Sequence, residues 1–557
     1  MTRKAMCVPG VGRVRPTELV IVALLTGLAI MYGFYGARFY DVMSADGTGY
    51  ANAGRAFFET GNPRVFGTVF PPLYPFLVGL FSLVLHDLES SARTVSVVFN
   101  ALTIVPLYSL ALRFWGRSAA ICSSLLFITL PFLHGMSGVD ITEPTYTFFA
   151  LAAAWAFWSG FDEVRACAVL LSGGALGIAY LARPEGFIVA VMFSCILLLL
   201  FLMGDTVLRR PRVGLLLAVF WCGFLVPALP YMNYLHNETG KWQLSGKTGL
   251  NSSIIKEYRG AEAPDQHMRL DAKGQEVGGG DSTLLDLMKD DPDIFWGNVR
   301  DNLRALPREF ANAFPAFLWP FVLLGFAWIP RFAGAETEES GDAANLSLRW
   351  HGGVVRLMLA AICAPLLLYV LYFVQPRGFY AYIPVLLMMA GGGCAYLDGL
   401  VRRFLGTSSW ITVFVPVVFI LGCWYVYKGI PGPKPPYSYT QDGGRYDDKQ
   451  VGLRLREILP EKSVIMTRSG RIGFYSQRPY LMPPQGSFAE IVEYAAKHRV
   501  DYLIATLQLL SARPQLEPLY QPLFEPGRSF TPPAGMELVS IGQEPGGIPY
   551  IVYRFVR

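Results

Sequence analysis

The sequence predicts a polytopic α-helical membrane protein that ends in a small soluble α/β domain. Two compositional facts carry this expectation. Of the 557 residues, 53% are apolar and only 16% are charged, where an ordinary soluble domain is roughly 25% charged. The deficit is uneven. Long apolar runs alternate with short polar joints up to about residue 428, and the composition then turns soluble.

A membrane-spanning helix needs about 20 mostly apolar residues. Runs of this kind lie near 17–36, 91–113, 118–135, 141–160, 164–182, 186–204, 213–233, 313–330, 353–374, 379–399 and 409–427, which makes about eleven spans. Arg3, Lys4, Arg13 and Arg15 precede the first run, but no small-residue cleavage site follows it, so an uncleaved first span is expected. The segment 71–85 opens with Pro71-Pro72 and is short, which fits an interfacial helix within a first outer loop at 37–90.

The positive-inside rule supports this layout. With the N-terminus cytoplasmic, the inner joints hold Arg113 and Arg117, then Arg165, then Arg209, Arg210 and Arg212, then Arg331, Arg349 and Arg356, then Arg402 and Arg403. Every second joint is basic, which places the last segment outside the membrane. The outer side then carries the first loop, a tight turn at 183–185, a long polar loop at 236–312 with Gly278-Gly279-Gly280, and the tail. The expected domains are a membrane domain over 1–430 and, after a proline-rich linker at 431–436, an extracytoplasmic domain over 431–557. In the tail, helical spacing at Val451 to Leu459 and Phe488 to His498 alternates with strand patterns at Ser463 to Thr467, Asp501 to Ala505 and Tyr550 to Val556.

Several function classes fall away. A net charge of +5 without a basic stripe argues against nucleic acid as a partner. The eight cysteines lie in or beside apolar runs, apart from Cys7, with no zinc spacing and no disulfide framework. Ser245-Gly246-Lys247-Thr248-Gly249 lacks the upstream glycine of a nucleotide-binding loop, and nucleoside triphosphates are scarce outside the cell.

Ionisable groups near the bilayer are costly, so those that persist there are functional candidates. Asp46 opens a helical pattern in which Tyr50, Ala53 and Phe57 share a face, so it is either a helix cap or a base. Glu143, in Asp140-Ile-Thr-Glu143-Pro144, either complements a helix dipole or forms a carboxylate pair with Asp46. Arg183, in the turn Arg183-Pro184-Glu185, sits on the side the positive-inside rule disfavours. It either pairs with Glu185 or binds phosphate. Arg377, in Gln375-Pro376-Arg377-Gly378-Phe379-Tyr380, sits on the same disfavoured side, and Lys247 is a further cation there. Two arginines and two acids on one face fit an anionic substrate at the outer leaflet.

In order and sidedness these motifs, with the interfacial Phe70-Pro71-Pro72-Leu73-Tyr74-Pro75, resemble the GT-C glycosyltransferases, specifically bacterial relatives of protein O-mannosyltransferases and of aminoarabinose transferase. The resemblance covers about 17–400 and is strongest over 40–190. It implies a bacterial plasma-membrane enzyme that moves a sugar, with inversion, from a polyprenyl-phosphate donor to a hydroxyl of a glycolipid, glycan or protein. It implies Asp46 as the base and Glu143 as the second acid. Arg183, Arg377 and Lys247 would meet the donor phosphate, and Asp41, Tyr50, Tyr74, Glu185 and Tyr380 would line the donor and acceptor cleft. Gly47 stands where many relatives carry a second acid, which weakens a metal held in this loop, although a divalent ion stays open. Phe70-Pro71-Pro72 replaces the Glu-Lys-Pro element of the aminoarabinose transferases, so neither that sugar nor lipid A is assigned. The competing class is a flippase or binding protein for lipid-linked sugars. Such proteins usually show repeated halves with charges at the midplane. No repeat is visible here.

Overall fold

The computed structural model describes residues 16–162, 165–203, 210–260, 283–329, 341–405, 422, 444–543 and 549–556. The N-terminal basic cluster, the Gly278-Gly279-Gly280 run, the linker at 431–436 and, residue 422 apart, the span at 409–427 lie outside them. The chain divides into two compact units. The first comprises Met1–Phe39, Pro71–Ser245 and Val299–Tyr437, and the second Tyr40–Phe70, Gly246–Asn298 and Ser438–Arg557. Two segments read as loops of the membrane domain thus belong to the same packed body as the tail.

The first unit is helical. Among the described residues six helices are long and apolar enough to cross a membrane, or up to eight if each of two bent pairs is one span. Of the eleven or so spans expected from apolar runs, the one at 409–427 lies outside the described residues apart from residue 422. The run at 164–182 forms the 17-residue helix Ala166–Ala182, against the roughly 20 residues a span needs, and the run at 71–85, expected as an interfacial helix, forms the 13-residue helix Leu73–Leu85. The helices carry outward apolar side chains, with Leu24 68%, Met31 72% and Val226 78% exposed. A surface of that kind suits hydrocarbon rather than water, and the chain is an integral membrane protein.

Prolines set the breaks. Leu130, ahead of Pro131, is pushed to an extended φ/ψ of −65°/119°, and the helices Arg117–Thr129 and Pro131–Ser137 meet at 61°. Pro315 divides Pro292–Ala313 from the apolar Trp319–Ala327, with a bend of 83° between the flanking helices. Elsewhere glycine permits close approach. Helix Ala166–Ala182 packs on Arg210–Thr239 so tightly that a Cβ on Gly173 would lie 2.0 Å from the Phe220 carbonyl oxygen, and one on Gly177 2.4 Å from that of Phe224. Gly173 and Gly177 form the four-residue small-residue spacing that brings membrane helices together.

In the second unit the tail is an α/β domain. Its strands are β1 (Ile465–Met466), β2 (Tyr480–Leu481), β3 (Tyr502–Thr506), β4 (Met536–Gly542) and β5 (Tyr550–Phe555), in the order β2-β1-β3-β5-β4. The pairs β1–β2 and β1–β3 are parallel, and β3–β5 and β4–β5 antiparallel, with Tyr502 opposite Arg554 and Thr506 opposite Tyr550. Alternation sorts the central strands between two cores. Leu503, Ala505, Ile551 and Tyr553 pack with Ile491, Leu509 and Tyr520 on one face. Ile504, Ile465 and Val552 pack with Val451, Leu455 and Ile472 on the other. The helices and the three strands expected from the tail's periodicity are present. β2 and β4 were not expected: β2 has two residues, and β4 is an edge strand that is half exposed and interrupted by a bulge between Leu538 and Ser540.

Replacing Gly177 with leucine inserts a side chain where no Cβ fits. The expected outcome is loss of monodisperse protein on size-exclusion chromatography in detergent, because overpacking costs about 1–3 kcal/mol even where neighbours can shift. Gly214, which has nothing within 4 Å of a built Cβ, should tolerate alanine without change.

Candidate functional site

Three chain breaks in the first unit bring its charged groups together. Glu143 is the first residue of helix Glu143–Asp162, with Pro144 in its first turn. Arg183 ends helix Ala166–Ala182 in an extended conformation (φ −152°, ψ 136°), as the residue before Pro184 should. Gly186 then lets the next helix start against the last, since a Cβ there would lie 2.5 Å from the Tyr180 nitrogen. Arg377 lies in the short 3-10 helix Pro376–Phe379, and Gly378 leaves room for the ring of Tyr369, which a Cβ would approach to 2.9 Å.

The centre of the cluster is the Glu143 carboxylate, whose side chain is 2% exposed. Its Oε1 receives Arg183 Nη1 at 2.5 Å and Arg377 Nε at 3.2 Å. Arg183 also donates Nη1–H to Thr142 Oγ1 at 3.3 Å. Its Nε–H and an Nη2–H go to Glu185 Oε1 at 3.2 Å and 2.7 Å, and a second Nη2–H goes to the Tyr369 hydroxyl at 3.0 Å. Tyr369 passes its own proton to Glu185 Oε1 at 3.0 Å. All five N–H bonds of the Arg183 guanidinium therefore have acceptors within the protein. Arg377 is the more accessible cation, with its side chain 29% exposed against 16% for Arg183. Two arginines and two glutamates sum to zero formal charge.

An aromatic layer lies beneath. Tyr146 and Tyr382 pack with Ala150, Ala179, Ala182 and Ala381, against Leu73 and Tyr369. The Tyr146 and Tyr382 hydroxyls are buried without a hydrogen-bond partner among the described residues, a cost of about 1–3 kcal/mol each. Tyr380 is fully buried and its hydroxyl donates to Asn100 Oδ1. The Tyr74 hydroxyl meets the Ala92 carbonyl and Ser96 Oγ, each at 2.9 Å.

The remaining sequence candidates lie in the second unit. Asp46 is in the first turn of helix Ala45–Thr60, but the cap is Ser44, whose side chain accepts the Gly47 N–H at 2.9 Å. Ser44, not Asp46, therefore holds the N-cap position. Tyr50 is buried edge-on to Phe70 with ring centroids 4.8 Å apart, and Lys247 Nζ stands 4.4 Å from the centroid of the same ring. The Asp41 carbonyl accepts Lys449 Nζ at 2.6 Å. No three His, Cys, Asp or Glu side chains come together as a metal-ligand set among the described residues. Sequence reasoning missed Tyr369, Thr142, Asn100 and Ser96. A tyrosine interrupting the apolar run Leu366 to Leu371 was the available signal for the first.

The chain's sequence and fold can be set beside those of known proteins. Residues 70–231 match the family described as dolichyl-phosphate-mannose-protein mannosyltransferase. The chain is 25% identical over 181 residues to the undecaprenyl phosphate-alpha-4-amino-4-deoxy-L-arabinose arabinosyl transferase of Pseudomonas savastanoi pv. phaseolicola. That match spans 31% of this chain and about a third (33%) of the relative's own length. Among solved structures, ArnT from Cupriavidus metallidurans bound to undecaprenyl phosphate superposes with a TM-score of 0.53 at 14% identity, over 97% of this chain and 98% of that one. The apo oligosaccharyltransferase of Archaeoglobus fulgidus superposes with a TM-score of 0.54 at 12% identity, over 89% of this chain and 71% of that one. These similarities show that the chain shares its fold with ArnT and with the oligosaccharyltransferase, and that its residues 70–231 resemble the mannosyltransferase family.

Removing one partner of a buried ion pair leaves the other charge uncompensated, which costs about 3–5 kcal/mol. Arg183→Ala is expected to lower the thermal unfolding midpoint of the detergent-solubilised protein clearly. Arg183→Lys should recover only part of the loss, because an ammonium cannot span Glu143, Glu185 and Tyr369 as the guanidinium fork does. Arg377→Ala, at the more exposed position, should cost less in the same measurement.

Proposed function

We propose that this chain is an inverting glycosyltransferase that moves a sugar from a polyprenyl-phosphate donor to an acceptor hydroxyl at the outer face of the membrane. The observation that carries the reading is the convergence of Arg183 and Arg377 on one buried carboxylate oxygen of Glu143. A phosphate leaving group is already ionised at neutral pH, so its departure calls for cations rather than a general acid. The acceptor oxygen attacks the anomeric carbon from the face opposite the phosphate. The carbon–oxygen bond to phosphate breaks, and the electron pair leaves with the phosphate. The acceptor proton passes to a base, the role that the family resemblance implies for Asp46.

The geometry supports a division of labour between the arginines. Arg183 has committed its donors to Glu143, Glu185, Thr142 and Tyr369, so it holds the acids in place. Arg377 reaches Glu143 from a more exposed position, so it is the cation that meets the departing phosphate. The acceptor class, a glycolipid, a glycan or a protein, follows the family resemblance.

The test is transfer of radiolabelled sugar from polyprenyl-phosphate donors to cell-envelope acceptors by the purified protein. Asp46→Asn should reduce transfer to background while leaving the protein folded. Arg377→Ala should lower turnover roughly 10²-fold, the usual cost of removing one donor aimed at developing charge. Donor binding without turnover across a broad panel would overturn the proposal in favour of a flippase or binding protein.

A further inference from the structure

In open α/β sheets the ligand crevice lies beyond the carboxyl ends of the strands, where the strand order reverses. In the tail domain that point is the end of β1, since β2 and β3 lie on its two sides. The helices on either side of β1 in the chain, Gly444–Ile458 and Gly470–Ser476, hold the chain's own segment Asp41–Met43, which precedes the helix carrying Asp46.

The grip is on the main chain. Lys449 Nζ donates to the Asp41 carbonyl at 2.6 Å. The Met43 N–H donates to the Tyr475 hydroxyl at 3.0 Å, and Arg471 Nε–H donates to the Met43 carbonyl at 3.1 Å. The gripping side chains are themselves held. Arg471 Nη1 meets Asp448 Oδ2 at 3.1 Å, Ser469 Oγ–H donates to the same oxygen at 2.7 Å, and Lys449 Nζ lies 4.9 Å from the centroid of the Tyr475 ring. Burial pushes the Asp448 carboxyl up, against the downward pull of Ser469 and Arg471. Ser44 then caps the helix at the next residue, and a Cβ on Gly470 would lie 3.7 Å from Thr48 Oγ1, so the β1 loop also passes along the first helical turn.

We propose that the C-terminal α/β domain is a positioning domain, whose Arg471, Tyr475 and Lys449 clamp the backbone of Asp41–Met43 and so set the start of the helix that carries Asp46. Its catalytic consequence rests on Asp46 being the base. None of the three is a catalytic residue: each acts through the loop. A base displaced by about 1 Å loses on the order of 10² in rate without losing substrate affinity.

Arg471→Lys separates positioning from stability, because lysine keeps a cation beside Asp448 but has no Nε–H for the Met43 carbonyl. Tyr475→Phe removes the acceptor of the Met43 N–H and keeps the ring. Hydrogen exchange of the full-length protein in detergent should show peptides covering 40–50 exchanging about tenfold faster or more in both variants, as the loss of a hydrogen bond predicts. Peptides of β3 and β5 should stay unchanged, as should the unfolding midpoint. In the transfer assay kcat should fall and KM for donor should hold. Unchanged exchange over 40–50 would overturn the clamp. Faster exchange with unchanged kcat would keep the clamp and overturn its role in transfer. A wild-type protein that turns over no donor would sink the transferase reading and with it the catalytic role, while exchange alone would still decide whether the clamp exists.

Discussion

A carboxylate that is 2% exposed within an apolar helical body cannot stay charged without cations delivered to it. Glu143 receives two, from positions 40 and 234 residues further along the chain. That requirement constrains three separate helix ends. The helix from Glu143 must begin level with the turn at Arg183, and the 3-10 turn at Arg377 must end beside both. Proline supplies each break: Pro144 inside a first turn, Pro184 after an extended residue, Pro376 opening the short helix. Buried ion pairs seldom add net stability, because desolvation offsets the attraction. The cluster is better understood as fixing the relative geometry of three helix ends than as a source of folding free energy.

How much of this was legible in the sequence follows from what each contact depends on. Candidate spans are read from local composition, and Arg183 and Arg377 stand out because the expected topology puts them on the side the positive-inside rule disfavours. Their convergence on Glu143 has no local signature. Tyr369 hides in an apolar run, and Thr142 and Asn100 are ordinary helix-end or helix-interior residues until partners arrive. The expected pairing of Arg183 with Glu185 and its expected contact with phosphate were both open. The geometry favours the first, since the guanidinium is filled. The capping alternative for Asp46 failed by two positions: Ser44 has the extended backbone of a cap (φ −65°, ψ 160°), and Asp46 lies inside the helix.

The tail shows a second limit. Period-2 and period-3.6 patterns marked most of its helices and strands because each buries one face. The clamp on Asp41–Met43 escaped because it recognises backbone groups, which every residue carries. Arg471 and Tyr475, read from sequence, look like solvated surface. Yet the side chain of Arg471 is only 11% exposed, and its partners lie 23 and 428 residues away. Only the packing of the 40–70 segment with the tail gives those side chains a purpose.

The two arginines of the charge cluster also bear on how a phosphate could enter it. Were Arg183 to turn toward a donor, Glu143 and Glu185 would each lose a cation, and both are nearly buried, with side chains 2% and 11% exposed. The attraction gained at the phosphate would be set against a Glu185 stripped of its Arg183 cation and a Glu143 left to Arg377, at several kcal/mol. Arg377 faces a smaller exchange. On the proposed reading, Arg183 continues to hold Glu143 while Arg377 meets the phosphate, so Glu143 keeps a cation throughout. A phosphate bound in this way adds negative charge to a cluster that sums to zero. If the proposed donor binds here, its affinity must come from the geometry of the guanidinium fork and from the partly dry surroundings, where each charge-assisted hydrogen bond is worth more than it is in water.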